Sequence, residues 1–195
     1  IFSVFKGYDT KSVSLTKESA AFFLWKKGEA MFKEGDFIIY GSNGVCQVEH
    51  IGSMDLQGVP GDKMYYTLVP VYEEKSRLFT PVDNHKVVMR PVISKKEACE
   101  LIDHMQEMQV FEIQNEKNRD TVFKEALKTG DCEELVRVIK TIYEKKQERK
   151  AQGKKVTAGD ERYFKLAEEH LYGELAIALG IEKDKVSSYI EKRIA

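Results

Sequence analysis

Phe32-Lys33-Glu34-Gly35-Asp36-Phe37-Ile38-Ile39-Tyr40-Gly41-Ser42-Asn43-Gly44-Val45 decides the first half of the fold. A charged segment with a glycine leads into four β-prone residues, and the Asn43-Gly44 pair that follows suits a turn needing positive φ. A strand, a tight turn and a second strand over Val45 to Ile51 follow from that order. Further out come a Gly58-Val59-Pro60-Gly61-Asp62 loop and three more β-rich runs, Met64 to Val71, Arg77 to Val82 and Val87 to Val92. Glu73-Glu74-Lys75 and Asp83-Asn84-His85 separate those runs. Five short strands offer too little surface for a sandwich, so a small, strongly curved antiparallel barrel is the economical way to hide the sheet edges.

All four prolines (Pro60, Pro70, Pro81, Pro91) and six of the thirteen glycines lie between residues 31 and 92, and no proline follows. Proline resists helix interiors, so a strand-and-turn module precedes a helical one, with the boundary at Pro91 to Ser94. After Ser94 the apolar period becomes that of a helix. Ser94 with Glu97 reads as a capping box opening a helix to about Gln106, and Asp131 with Glu134 as another, opening one to about Lys150. Glu116 to Lys128 is a helix stopped by Gly130, Thr157 caps one that stops at Gly180, and a last helix covers Asp184 to Ile194. Leu135, Val138, Ile139, Ile142 and Tyr143 recur at three and four, as one buried stripe does. The fold class is α+β, with about five strands in residues 31–92 and about five helices in 93–195. Residues 1–30 fit neither module; Met31 reads as the natural start and the preceding segment as an upstream extension without a recognisable role.

Composition narrows the function. Hydrophobic residues make up 42% and charged residues 32%, with 31 basic against 32 acidic side chains, so the chain is globular and global charge names no partner. Its longest apolar run, Ala20 to Trp25, has six residues, far short of the roughly 20 that a membrane helix needs. A soluble, cytoplasmic protein without a membrane partner is expected. Cys46, Cys99 and Cys132 are odd in number and widely spaced, which argues against disulfides and metal knuckles and for small buried hydrophobes.

No convergent acid, base or nucleophile appears, so no catalytic residue, metal, cofactor or small-molecule substrate is expected. Cys46 and His50, four apart in a strand, would share a face about 13 Å apart at ~3.3 Å per residue, too far to exchange a proton. Asp131-Cys132-Glu133-Glu134 is explained by its place at a helix start. Charge is more informative locally: Arg137 to Lys155 holds eight basic residues against Glu144 and Glu148. Such a stripe suits phosphate contacts that ignore sequence, and suits equally a solvated helix face. Leu56, Leu78 and Phe79 on the barrel are candidates either for docking a partner's strand or for filling the interior. From the residues alone, this is a two-module binding protein.

The opening stretch above, with Val48-Glu49-His50-Ile51, resembles the start of the CarD family of bacterial transcription regulators. Leu127-Lys128-Thr129-Gly130-Asp131, Val138 to Tyr143, Thr157-Ala158-Gly159-Asp160-Glu161-Arg162 and Leu171-Tyr172-Gly173-Glu174-Leu175-Ala176 resemble its helical half, in the family's order. The resemblance implies a Tudor-like barrel that binds the β subunit of RNA polymerase, here through Met54, Leu56, Arg77, Leu78 and Phe79. It also implies a helical domain that touches promoter DNA at the upstream edge of the melted region, here through Glu116, Asn118, Arg119, Lys140, Lys145, Lys146 and Arg162. Members of the family are not enzymes; they shift the balance between closed and open promoter complexes.

Within that resemblance the chain departs from the pattern at defined positions. Many members insert a tryptophan as a wedge at the bubble edge; by its spacing to Gly130-Asp131 that position is Glu116, and Trp25, the chain's one tryptophan, lies outside the matching region. Of the neighbouring basic positions Arg119 remains and Asn118 replaces the other, while a further one falls on Glu161 beside Arg162. Gly41 stands where a proline commonly follows the strand tyrosine. Phe79 stands for a polymerase-facing arginine, with Arg77 two residues earlier on the same strand face. Polymerase binding with weaker or differently built DNA contact is the expectation, and a polymerase-binding regulator without DNA contact is the alternative.

Overall fold

A computed structural model describes residues 32–53, 63–73, 76–113 and 115–194. Met54, Leu56 and residues 1–30, including Trp25, lie outside the described residues. Five strands form one antiparallel sheet in the order β4-β3-β2-β1-β5: β1 Phe37–Tyr40, β2 Val45–Ser53, β3 Met64–Pro70, β4 Leu78–Pro81 and β5 Met89–Pro91. The Asn43-Gly44 turn has Gly44 at φ 67, the left-handed conformation that the pair favours. Tyr66 and Leu68 on β3 alternate inward, and with Ile38, Cys46, Val48, Met89 and Phe32 they form the barrel's core. Burial pushes the Cys46 thiol up to about 12, with Glu73 adding to the effect, so it behaves as an inert small hydrophobe.

Five helices follow: α1 Lys95–His104, α2 Arg119–Thr129, α3 Cys132–Ala151, α4 Ala158–Leu179 and α5 Val186–Ile194. Their starts carry the expected caps. Ser94 and Glu97 exchange both bonds of a capping box, and the Thr157 hydroxyl accepts from the Asp160 N–H. Gly130 and Gly180 end α2 and α4 in the left-handed conformation. Two expectations change in detail. The Asp131 carboxylate caps α3 alone, because the Glu134 carboxylate pairs with Arg137 at 2.9 Å and does not reach back. Glu116–Asn118 and Lys183–Lys185 are 3₁₀ turns leading into α2 and α5 and not parts of them.

Tertiary structure adds one further correction and one further finding. β2 carries a register shift between Val48 and His50, so Glu49 is an extra residue in the ladder. Such a bulge reverses the alternation of faces: Cys46 is buried and His50 is exposed, hydrogen-bonded to Glu34 at 2.7 Å, so the two do not share a face. Second, Ile38 and Ile39 are both buried although adjacent. Ile38 enters the barrel core, while Ile39, with its cross-strand neighbours Val45 and Arg90, turns the other way. A Cβ on Gly130, at the end of α2, would lie 2.8 Å from Ile39 Cγ2. The helical module covers the outer face of the barrel at that end of β1.

Candidate functional site

β4 lies at one edge of the sheet. It is paired to β3 with Leu78 opposite Leu68, Thr80 opposite Tyr66, and the Val82 N–H donating to the Met64 carbonyl at 3.0 Å. In an antiparallel ladder bonded pairs alternate, so the Leu78 and Thr80 groups point to β3 and those of Phe79 and Pro81 point outward. Pro81 has no N–H to leave unpaired, as suits an edge position. Side chains alternate as well. Thr80 is buried and Leu78 packs on the barrel core, whereas the Phe79 side chain is turned out, with the residue 50% exposed. Leu78 therefore does not share a docking face with Phe79: the strand period places neighbours on opposite sides.

Arg77 lies on the Phe79 side and reaches across β3 to the bulge residue Glu49, its Nε 2.7 Å from Oε2 and its Nη2 2.8 Å from Oε1. The bidentate bond from Arg77 holds the Glu49 carboxyl below its ordinary range. An exposed aromatic ring, an outward main-chain edge and a fork of paired charge thus lie together on one side of the barrel. Met64, at the start of β3, is also exposed.

The second candidate surface gathers around the turn before α2. The Asn115 side chain accepts from the Lys117 N–H and starts the turn. The Glu116 carboxylate accepts from Arg119 Nη1 at 2.7 Å and from Lys145 Nζ on α3. The Lys145 hydrogen bond first, and the charges of Arg119, Lys145 and Arg149, hold Glu116 below the usual carboxylate range against the opposing effect of burial. The position of the expected wedge is thus a carboxylate clasped by two cations. Asn118 is exposed beside it, and Arg162 on α4 is exposed with its guanidinium 5.1 Å from the Tyr163 ring. The Tyr163 hydroxyl in turn donates to Asp120 on α2.

Other residues of the expected DNA set are turned inward. Lys140 is only 9% exposed, and its ammonium donates to the carbonyls of Gln106 and Met108 at 2.5 Å, closing the chain that follows α1. Desolvation lowers its pKa, with Glu144 opposing. Lys140 is a framework residue and not part of a phosphate stripe, because its place one turn from Val136 and Tyr143 carries it into the bundle. Arg119 has a side chain only 17% exposed, with Nη2 3.2 Å from the buried Asp160 carboxylate of α4. It ties α2 to α4 and offers little charge outward. Arg137 lies 4.1 Å over the Phe111 ring, and Arg149 donates to the Lys155 carbonyl. Lys145 and Lys146 are half-buried, and the outward charge of the stripe is carried by Lys150, Lys154 and Lys155 at its far end. No helix among the described residues is long and apolar enough to cross a membrane.

Residues 32–93 match the family model of the CarD-like/TRCF RID domain, and residues 100–191 match that of the CarD C-terminal domain. The two matches follow one another along the chain, the first over the five-stranded sheet and the second over the helices. This family consists of non-enzymatic transcription factors, and its N-terminal domain interacts with RNA polymerase. A sheet with an outward edge, joined to a helical bundle and matched in both halves, places the chain in the CarD family of RNA polymerase-interacting transcription factors.

Proposed function

We propose that this protein docks its barrel on the β subunit of RNA polymerase and rests the α2 end of its helical module on promoter DNA without reading sequence, so that open and closed promoter complexes bind it unequally. A ligand moves an equilibrium only by its difference in affinity for the two states. The observation that carries this reading is the edge of β4, where Phe79 stands exposed beside the Arg77–Glu49 pair. An extended segment laid on that edge gains main-chain hydrogen bonds, and Phe79 supplies an apolar anchor. On the helical side Asn118, Lys145, Lys146 and Arg162 are the residues that would meet the phosphate backbone. The Glu116 carboxylate weakens that contact by holding Lys145 and opposing phosphate.

The same carboxylate favours a second reading, a regulator that binds polymerase without touching DNA. Calorimetry against the isolated β-subunit lobe tests the first half. Binding is expected, with Phe79→Asp weakening it by at least about tenfold. No affinity at about tens of micromolar would remove the polymerase docking proposed for β4. For the second half, DNA affinity is followed against salt for wild type and for Lys145→Ala, Lys146→Ala and Arg162→Ala. A shallower slope in the variants supports DNA contact; an unchanged slope favours the second reading.

A further inference from the structure

Glu174 sits in the middle of α4 with its side chain 1% exposed. A carboxylate taken so far from water persists only if its oxygens are fully partnered. Four donors reach it. Arg90 Nη1 is 2.5 Å from Oε1 and Arg90 Nη2 is 2.7 Å from Oε2; the Ile93 N–H donates to Oε1 at 3.1 Å and the Cys132 thiol to Oε2 at 3.1 Å. Arg90 Nη2 also donates to the Gly130 carbonyl. Arg90 belongs to β5 and Ile93 to the connection between the modules, whereas Gly130 ends α2 and Cys132 opens α3. One charged pair therefore gathers the barrel, the linker and three helices at a single point.

The surrounding contacts are close. Beyond Gly130 against Ile39, a Cβ on Gly173 would fall 2.8 Å from the Tyr72 ring, and one on Gly44 would fall 3.3 Å from the His170 ring. The Tyr72 hydroxyl donates to the Gly173 carbonyl at 3.0 Å, and Lys183 Nζ lies 4.4 Å from the centre of its ring. Glycine at 130 and 173 lets the modules approach where a side chain would strike Ile39 or Tyr72, and at 44 it leaves the His170 ring room without displacement. Apolar contact alone allows sliding; a bidentate fork does not.

We infer that Arg90 and Glu174 are positioning residues that lock the barrel on the helical module at one angle, so that the protein spans its two partners as a rigid unit. The lock itself does not depend on the proposed docking surfaces, but its consequence for promoter opening rests on them. Orientation is read directly from residual dipolar couplings of the whole chain. One alignment tensor is expected to fit both modules of the wild type, and two tensors are expected for Glu174→Gln, with amide exchange in each module's core preserved. In the promoter-opening assay Glu174→Gln is expected to lose about tenfold of the effect, while its affinity for the isolated β-subunit lobe stays at the wild-type value. That split is one that a general loss of folding does not produce. Should Glu174→Gln fail to fold, Arg90→Lys decides: it keeps the charge but gives up the fork, and a second tensor with a partial loss of opening activity is expected. A single tensor with unchanged opening activity in whichever of these variants folds would overturn the inference. If wild type does not bind the lobe, the proposed docking fails while the couplings still test the lock.

Discussion

Among the described residues, seven buried apolar side chains form the core on one side of the five-stranded sheet and twenty-two form the core of the helical module, so the barrel encloses the smaller core. Part of the barrel's outer face is covered by the helices, at Ile39. The far edge, at β4, is left open. In the helical module the balance is reversed: apolar surface is well enclosed, and much of the basic charge is tied to carboxylates or carbonyls of the same module. The two halves thus present different kinds of surface. The barrel offers main-chain geometry with one aromatic anchor, and the helices offer whatever charge their own framework leaves over.

Truncation in the larger core has the largest expected effect. Phe123→Ala removes a fully buried ring that packs edge-on against Tyr163, and a loss of about 4 kcal/mol is expected by chemical denaturation. A loss below about 1 kcal/mol would break the contrast between an enclosed bundle and an open sheet. Next come the two left-handed glycines, which share a conformation but not an environment. Gly180→Ala meets open space and should cost about 1 kcal/mol, whereas Gly130→Ala also strikes Ile39 and should cost at least about twice that. Equal losses would mean that the modules are not tightly apposed there. Asp131→Ala removes the carboxylate cap of α3, where one oxygen accepts from the Glu133 and Glu134 N–H groups, and about 1 kcal/mol is expected.

Smaller effects sharpen the charge side of the comparison. Glu116→Gln releases Lys145, so DNA affinity should rise and the salt slope steepen by about one; an unchanged slope would mean that Lys145 faces no phosphate. The smallest effect concerns acid. The Ser94 hydroxyl and N–H hold the Glu97 carboxyl below its ordinary range. A carboxyl whose folded pKa is depressed stabilises the fold fully above its unfolded pKa of about 4.3, and that contribution is lost as the pH falls through the lower, folded value. Glu97→Gln should therefore reduce stability slightly at neutral pH and flatten its acid dependence, a change to be followed by thermal denaturation from about pH 3 to about pH 7, either side of that pKa.

The elements were legible because they rest on local chemistry. Asn43-Gly44, the Ser94–Glu97 box, the Thr157 cap and the stops at Gly130 and Gly180 each act within one turn of chain. What was not legible depends on distant partners. The bulge at Glu49 is set by pairing with β3, and it moves His50 to the other face. The charge stripe points Lys140 outward and the family resemblance points Arg119 toward DNA, yet each is held inside by groups far along the chain. Two signals did stand in the residues. Ile38-Ile39 breaks the alternation of a strand with one wet face, and Glu174 shares its helix face with Ala167, Leu171 and Ala178, where a lone carboxylate needs a buried partner.

Promoter-opening kinetics with the homologous polymerase test the central claim most directly. The lifetime of the open complex is measured without the protein, with wild type, and with Phe79→Asp and Arg162→Ala separately. The expected result is a lifetime shifted by wild type, a shift abolished by Phe79→Asp and reduced by Arg162→Ala. A shift that survives Phe79→Asp undiminished would contradict docking through the open edge of the barrel, and with it the division of labour between the two halves.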